Sequence, residues 1–198
     1  MNAAMSVIRT ASSKLPTPHG VFEIIVYRSV LDGKEHAALV MGDTSTSPIL
    51  TRIHSQCLTG DTFMSLRCDC REQLHKSMEL IAEKGSGAIL YLAQEGRGIG
   101  LSEKIRAYAL QDQGLDTVEA NEAIGQPIDA RDYEIAANIL KDIGIANITL
   151  LTNNPNKQKQ LIYHGIKVAE LQLTIVPNEH NRAYLETKRT KLDHSIPV

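Results

Sequence analysis

The stretch "NITLLTNNPNKQKQLIYHGIKVAEL" (147–171) contains the pattern that decides the fold class. Its apolar first segment, 147–152, predicts a β-strand. An asparagine suited to the N-cap then precedes Pro155 in the first helical turn, which predicts a helix. Gly165 predicts the end of that helix, and the apolar segment 166–171 predicts a second strand. A strand, a helix and a strand in succession are typical of an α/β protein.

The flanking sequence extends this pattern in both directions. Helical periodicity and short apolar runs predict further helices over 71–84, 101–113 and 131–143 and further strands over 21–27, 36–41, 49–54 and 87–93. In the helix over 101–113, the predicted apolar face consists of Leu101, Ile105 and Tyr108. We therefore expect an α/β fold with a β-rich N-terminal portion and a largely parallel sheet covered by helices on both faces.

The length and composition limit how many domains the chain can form and which kinds of partner it can bind. A chain of 198 residues with 42% hydrophobic and 22% charged residues is typical of one ordinary globular domain. We expect a single domain over 1–198, with a flexible N-terminus at 1–13 and a C-terminal helix and tail at 178–198. A net charge of −2 predicts no nucleic-acid partner. No apolar run approaches the roughly 20 residues of a membrane span, and no signal peptide is evident. We expect a cytoplasmic protein that binds neither nucleic acid nor membrane.

All three cysteines lie in "CLTGDTFMSLRCDC" (57–70), with the spacing C-x10-C-x-C. An odd number excludes complete internal disulfide pairing. Cys57, Cys68 and Cys70 can instead bind Zn²⁺ as thiolates, which leaves the fourth tetrahedral position for water and is typical of a catalytic site. A fourth ligand, for which His54 is a candidate, would make the site structural. The alternative is that buried free cysteines pack as small hydrophobic side chains.

Three further segments are suited to binding an anion. The glycine-rich "QEGRGIG" (94–100), "TNNPNK" (152–157) and "RIHSQ" (52–56) each follow or end a predicted strand. Backbone N–H groups at a helix N-terminus favour negative charge. Each segment alone is also typical of an ordinary βα turn, and "PIDARDY" (127–133) is compatible with an N-cap aspartate followed by a surface arginine. Together with a metal cluster, the three segments favour a polyphosphate substrate.

Five long strings carry a resemblance to a known family. "HSQCLTGD", "SLRCDC", "QEGRGIGL", "KIRAYALQDQGLDTVEAN" and "LLTNNPNK" occur in one collinear order and resemble GTP cyclohydrolase II. The resemblance runs from about Lys14 to the C-terminal region. It implies a three-layer α/β/α fold with a mixed sheet, usually as a homodimer. It also implies that GTP is hydrolysed with release of formate and pyrophosphate, as the first step of riboflavin biosynthesis.

The resemblance also implies roles for individual residues. Cys57, Cys68 and Cys70 match ligands of a catalytic Zn²⁺, whose water attacks C8 of guanine, while Mg²⁺ assists at the phosphates. Asp129 matches a proton acceptor, Arg131 a nucleophile towards the α-phosphate, and Tyr108 a tyrosine near the reacting base. Because a guanidinium group is essentially always protonated, a bidentate phosphate clamp is a second possible role for Arg131. The implied GTP-binding residues are Arg52, Ile53, His54, Ser55, Gln56, Gln73, Glu95, Gly96, Arg97, Thr117, Thr152 and Lys157.

Three positions depart from the family pattern. The family usually has Glu in place of Gln56, Gly in place of Arg71 and Gly in place of Asp193. These departures leave open two alternatives to the full reaction: a paralogue with an altered product or pathway, and a catalytically silent nucleotide-binding protein on the same fold.

Overall fold

The structure is a computed structural model that describes residues 6–191, apart from the side chains of residues 183, 184, 188 and 191. Asp193 lies outside the described residues. The described chain divides into two compact units. The first takes in the chain up to His54, His75–Ala93 and Asp132–Leu173, and the second takes in Ser55–Leu74, Gln94–Arg131 and the chain from Thr174. The expectation of one domain over 1–198 stays a prediction.

The first unit contains a seven-stranded sheet among the described residues. The strands are β1 (Val7–Thr17), β2 (Gly20–Ser29), β3 (Glu35–Met41), β4 (Ile49–Ser55), β5 (Gly87–Leu92), β6 (Asn147–Leu151) and β7 (Lys167–Leu171). Their order across the sheet is β1-β2-β3-β5-β4-β6-β7. Pairing is antiparallel from β1 through β2 and β3 to β5, and parallel from β4 through β6 to β7. The mixed sheet that the resemblance implies is confirmed. The largely parallel sheet expected from the alternation of strands and helices is wrong, because the β-rich N-terminal portion adds antiparallel strands.

Helices belong to both units. They are α1 (Cys70–Lys84), α2 (Leu101–Gln111), α3 (Thr117–Ala123), α4 (Glu134–Asp142), α5 (Pro155–Tyr163) and α6 (Arg182–Lys191). α5 begins as its sequence predicts: Asn154 is the N-cap and accepts a hydrogen bond from the Asn156 N–H group, and Pro155 occupies the first turn.

Alternate residues of β5 show that helices cover both faces of the sheet. Ala88, Leu90 and Leu92 belong to a buried cluster that also contains residues of α4 and α5, including Leu140 and Leu161. Gly87 points to the opposite face, where an added Cβ would lie 2.7 Å from Cγ1 of Ile81 in α1. Because successive strand residues point to opposite faces, α1 covers the face that α4 and α5 leave open. The three-layer α/β/α arrangement is confirmed.

Strand β1 corrects the expectation for the N-terminus. Residues 1–13 were expected to be flexible, but Val7–Thr17 pairs antiparallel with β2. Most of its residues are exposed, so the strand has no alternating apolar pattern to reveal it. Backbone pairing at the sheet edge, with Val7 as its buried apolar anchor, holds this strand.

The second unit contains α2, α3 and α6 among its described residues, together with two short helical segments, Leu58–Thr62 and Glu95–Gly98. α3 packs against α2 and α6. It begins with a capping box, in which the Asp116 side chain accepts from the Glu119 N–H group and the Glu119 carboxylate accepts from the Asp116 N–H group.

The predicted apolar face of α2 is wrong. Leu101 and Ile105 are 39% and 46% exposed, whereas the buried residues of the helix are Lys104 and Ala107. The physical reason is that the side of α2 that carries Lys104 faces the polar cysteine segment, so a charged side chain is buried there.

Within residues 6–191, none of the helices has the length and apolar character that crossing a membrane requires.

Candidate metal centre and anion-binding segments

The three cysteines come together in the second unit. Their Sγ atoms all lie within 4.8 Å of one another, and those of Cys57 and Cys68 are 3.7 Å apart. A tetrahedral Zn²⁺ with bonds of about 2.3 Å places two sulfur ligands about 3.8 Å apart. Cys57 and Cys68 are buried and Cys70, the first residue of α1, is partly exposed. Among the described residues this group contains three cysteines and no histidine, and His54 instead stacks on Tyr91 in the first unit.

Gly60 leaves the space that the sulfur atoms occupy. A Cβ at this position would lie 2.7 Å from the Cys68 Sγ, 3.2 Å from the Cys57 Sγ and 3.2 Å from the Cys70 Cβ. Carbon and sulfur atoms do not approach so closely without a shift. The chain therefore forms a cradle around the three cysteine side chains that only glycine permits, which fits a bound metal ion.

Hydrogen bonds fix the backbone on either side of Cys57. The Cys57 N–H group donates to Asp61 Oδ2 at 3.0 Å. The Leu58 N–H group donates to Glu95 Oε2 at 2.6 Å, and Glu95 Oε1 accepts from the Gly96 N–H group at 2.9 Å. Glu95 was expected to bind GTP; in the structure its carboxylate joins the glycine-rich segment to the cysteine segment.

Lys104 is a buried cation beside the sulfurs. Its Nζ donates to the Cys57 Sγ at 3.1 Å, to Thr59 Oγ1 at 2.9 Å and to Glu95 Oε1 at 2.8 Å. Burial alone would lower the pKa of Lys104, but Tyr108, Glu95 and Cys57 hold that pKa above its ordinary value. Hydrogen bonds from the Cys68 and Cys70 thiols lower the pKa of Cys57, and Lys104 adds to this effect. The same hydrogen bond to Cys57 raises the pKa of Cys68 to about 12.

Tyr108 lies close to two cations of the second unit. The Arg67 guanidinium is 5.0 Å from the centre of its ring, and the Lys104 ammonium is 5.7 Å from it. Arg67 in turn forms an ion pair with Asp112. A half-buried ring with two cations nearby is not a core tyrosine, and its face is electrostatically complementary to positive charge.

Asp129 and Arg131 form a bidentate pair. The Arg131 Nε atom donates to Asp129 Oδ1 at 2.8 Å, the Nη2 atom donates to Oδ2, and the Arg131 N–H group also donates to Oδ1. Burial would raise the pKa of Asp129, but the hydrogen bonds and charge of Arg131 hold that pKa below its ordinary value. The carboxyl group is therefore ionised at neutral pH.

The glycine-rich segment contacts this pair through the backbone. The Ala130 N–H group donates to the Arg97 carbonyl at 3.0 Å. Arg97 itself has a left-handed φ of 59°, which is uncommon for a residue other than glycine and often marks a functional site. At Gly98, φ is 93° and an added Cβ would lie 3.1 Å from the Ala130 backbone. Gly98 thus permits the close approach that brings Arg97 next to Asp129 and Arg131.

In the first unit, several predicted GTP-binding residues meet at the carboxyl ends of β4 and β6. Arg52 Nη1 donates to the Leu151 carbonyl at 2.9 Å, and Lys157 Nζ donates to the Ile53 carbonyl at 2.6 Å. Thr152 Oγ1 accepts from the N–H group of Asn154, the N-cap of α5. Two buried cations at a helix N-terminus, outside the ends of parallel strands, make a region suited to an anion.

The remaining predicted residues lie in the second unit. Ser55 Oγ donates to Gln94 Oε1 at 3.2 Å, and Gln73 Nε2 donates to Asp69 Oδ2 at 2.5 Å, so Gln73 is tied to the residue between two cysteines. Thr117 occupies the first turn of α3. Gln56, directly before Cys57, is partly buried.

Sequence reasoning missed Lys104 and Gly60. Lys104 precedes Tyr108 by four residues, so helical spacing places both on one side of α2, and this was the available signal. Gly60 carries no such signal, because its importance arises from sulfur atoms that approach it only in the folded chain.

The fold and the cysteine cluster define a class: an α/β protein with a thiolate-based centre suited to a metal ion. The chain belongs to the GTP cyclohydrolase II family, whose profile matches residues 8–172.

Relatives of two lengths match this chain. It is similar to GTP cyclohydrolase-2 of Aeromonas hydrophila subsp. hydrophila, with 56% identity over 191 residues that cover 96% of this chain and 97% of that protein. GTP cyclohydrolase-2 of Shewanella sp. (strain MR-4) is 54% identical over 97% of this chain and 96% of that protein. The riboflavin biosynthesis protein RibBA of Aquifex aeolicus is 52% identical over 95% of this chain, which spans 47% of that longer protein.

Proposed function

We propose that this protein hydrolyses GTP, opening the imidazole ring of guanine and releasing formate and pyrophosphate. The product is 2,5-diamino-6-(5-phospho-ribosylamino)pyrimidin-4-one, and the reaction is the first step of riboflavin biosynthesis. The observation that carries the proposal is the cluster of three sulfur atoms within 4.8 Å in a chain of the GTP cyclohydrolase II family.

Cys57, Cys68 and Cys70 are the proposed ligands of Zn²⁺. Their sulfur spacing and the space at Gly60 support a tetrahedral metal with three protein ligands. Bound there, Zn²⁺ would supply Lewis acidity and an activated water for attack on C8 of guanine. Metal ligation by three reduced cysteines also favours a reducing compartment, and this supports the cytoplasm as the proposed location.

Asp129 and Arg131 are the proposed catalytic residues for proton transfer and for the α-phosphate. Asp129 is ionised at neutral pH because Arg131 lowers its pKa, so it is in the form that accepts a proton. A guanidinium fork that grips a carboxylate with two donors also matches two phosphate oxygens. If Arg131 exchanges Asp129 for the phosphate, Asp129 loses its cation and becomes a stronger base. We favour the clamp over the nucleophile role, because the two-donor geometry of Arg131 is already formed on Asp129.

Binding of GTP is proposed for the residues that the resemblance implies. Arg52, Thr152 and Lys157 supply cations and a helix N-terminus for phosphate oxygens, with Mg²⁺ bound to the phosphates. Tyr108 is the third proposed catalytic residue, and its ring is proposed to lie near the reacting base. The remaining GTP-binding residues are proposed to be Ile53, His54, Ser55, Gln56, Gln73, Glu95, Gly96, Arg97 and Thr117. By the same resemblance we propose a homodimer.

The test is an incubation of the purified, zinc-loaded protein with GTP and Mg²⁺, in which formate, pyrophosphate and product mass are all quantified. Equal amounts of formate and pyrophosphate, both lost in Cys68→Ser, are expected. Pyrophosphate without formate would indicate a protein with an altered product and direct attention to Gln56 and Arg71. Neither product from a folded, zinc-replete sample would refute the proposal and favour a nucleotide-binding protein without catalysis.

A second experiment addresses Arg131. Arg131→Lys keeps the charge but removes the fork, so pyrophosphate release should fall while zinc content stays unchanged. Arg28→Lys is the control, since Arg28 is an exposed partner of Glu35. Normal pyrophosphate release by Arg131→Lys would contradict both the clamp and the nucleophile role.

A further inference from the structure

Lys104 occupies a buried position near the N-terminus of α2, where a lysine without hydrogen-bond acceptors nearby would be unfavourable. Its side chain is only 10% exposed, and lysine is almost never buried without a partner. It also lies in the first turn after Gly100, the N-cap of α2, where the helix dipole disfavours positive charge. Both costs require strong compensation from nearby acceptors.

The compensation comes from three acceptors that match the three donors of the ammonium group. The Cys57 Sγ, Thr59 Oγ1 and Glu95 Oε1 atoms lie 3.1, 2.9 and 2.8 Å from Nζ. An ammonium group has three N–H donors, and all three are used here. The position of Nζ is therefore fixed against the sulfur of one candidate metal ligand.

Charge accounting shows what this contact does. Three thiolates around a dication leave one net negative charge when the fourth ligand is neutral water. The Glu95 carboxylate, 11% exposed, adds another negative charge. Because both groups contact the same Nζ atom, the Cys57 Sγ and Glu95 Oε1 atoms are at most about 6 Å apart. Two negative groups so close in a poorly solvated region repel one another strongly. A cation between them attracts both groups and offsets this repulsion.

We propose that Lys104 is a positioning residue of the metal centre, whose ammonium group bridges the Cys57 thiolate and Glu95 and thereby strengthens metal binding and reduces electron donation by the Cys57 sulfur. The bridge also connects the metal ligands to the glycine-rich segment, because Glu95 holds the N–H groups of both Leu58 and Gly96. The inference rests on the metal centre of the proposed function and not on the identity of the nucleotide.

The test compares metal binding by the wild type, Lys104→Met and Arg106→Met. Methionine keeps much of the length of lysine without its charge, and Arg106 is an exposed residue on the same helix. Zn²⁺ affinity is measured by competition with a chelator, and the sulfur-to-metal charge-transfer band is recorded after Co²⁺ substitution. Lys104→Met should bind Zn²⁺ about 10- to 100-fold more weakly, as is typical when a partner of a metal ligand is lost. Its Co²⁺ band should move to lower energy, because the sulfur loses a hydrogen bond that stabilises its electrons. Arg106→Met should match the wild type in both measurements.

A second variant protects the test against a folding defect. Lys104→Met leaves Glu95 buried without its cation, so Lys104→Met/Glu95→Gln removes that charge as well. The double variant should regain wild-type stability in urea while its Co²⁺ band stays shifted. If stability, affinity and the band all return to wild-type values together, Lys104 has only a structural role. Wild-type affinity and an unchanged band in Lys104→Met would refute the inference, whereas a wild type that binds neither metal would refute the proposed function itself.

Discussion

Replacing Gly60 by alanine tests the metal centre with a single methyl group. The added Cβ would lie 2.7 Å from the Cys68 Sγ, so one of the two atoms must move by about 0.7 Å to regain an ordinary contact of 3.4 Å. Metal–ligand distances tolerate only about 0.2 Å. We therefore expect Zn²⁺ affinity to fall at least about 100-fold, which corresponds to about 2.7 kcal/mol. Gly60 does not have a left-handed φ, so backbone strain adds nothing to this loss.

The assay is a chelator competition for Zn²⁺, paired with urea unfolding at saturating zinc and with excess chelator. Gly87→Ala is the control, because its Cβ would instead clash with Ile81 and the Leu50 carbonyl in the first unit. Gly87→Ala should lower stability in both conditions and leave zinc affinity unchanged. Gly60→Ala should lose affinity and most of the stabilisation by zinc. Wild-type zinc affinity in a folded Gly60→Ala protein would refute the assignment of the cysteine cradle as the metal centre.

Three further predictions concern the core, the ion pair and the thiols. Leu90→Ala in β5, which removes a fully buried side chain, should cost about 2–5 kcal/mol in urea unfolding, whereas the control Leu31→Ala, 75% exposed, should change stability little. Because Arg131 lowers the pKa of Asp129, the stability from this pair is present above the ordinary carboxyl pKa and is lost as pH falls through the lowered value. Wild type and Asp129→Asn should thus differ in stability at neutral pH and converge in acid, and a constant difference down to the lowest pH would contradict this. Bound zinc should protect all three cysteines from alkylation, and chelation should allow up to three labels by mass; labelling that does not depend on zinc would count against thiolate ligation.

Capping residues and turn residues in the sequence predicted those helices whose ends they determine. Asn154, Pro155 and Gly165 mark the ends of α5 through capping and backbone preferences that need no tertiary contact, and the structure confirms that helix. Strand β1 depends on pairing with β2 and buries few side chains, so its sequence resembles that of an exposed segment.

In the candidate site, too, some residues were predictable from the sequence and others were not. The spacing of Cys57, Cys68 and Cys70 alone predicted a metal cluster, and the structure brings their sulfurs together. The role of Lys104 could not be predicted from hydrophobic periodicity, which assigns a lysine to solvent. Its burial follows from acceptors on Cys57 and Thr59, which are 47 and 45 positions away, and on Glu95, nine positions away, and all three meet it only after folding.

The short span of the metal ligands has a consequence for folding. Cys57 and Cys70 are 13 positions apart, whereas the pairing of Ile49 with Ile148 joins β4 to β6 across 99 positions. Closing the short cysteine loop costs about 2 kcal/mol less in chain entropy than closing the loop between those two strands. An unfolded or newly synthesised chain can therefore collect the same three thiolates around a metal ion before the sheet exists. Since a ligand that also binds the unfolded state stabilises the native state less, zinc should stabilise this protein by less than its affinity for the native site suggests.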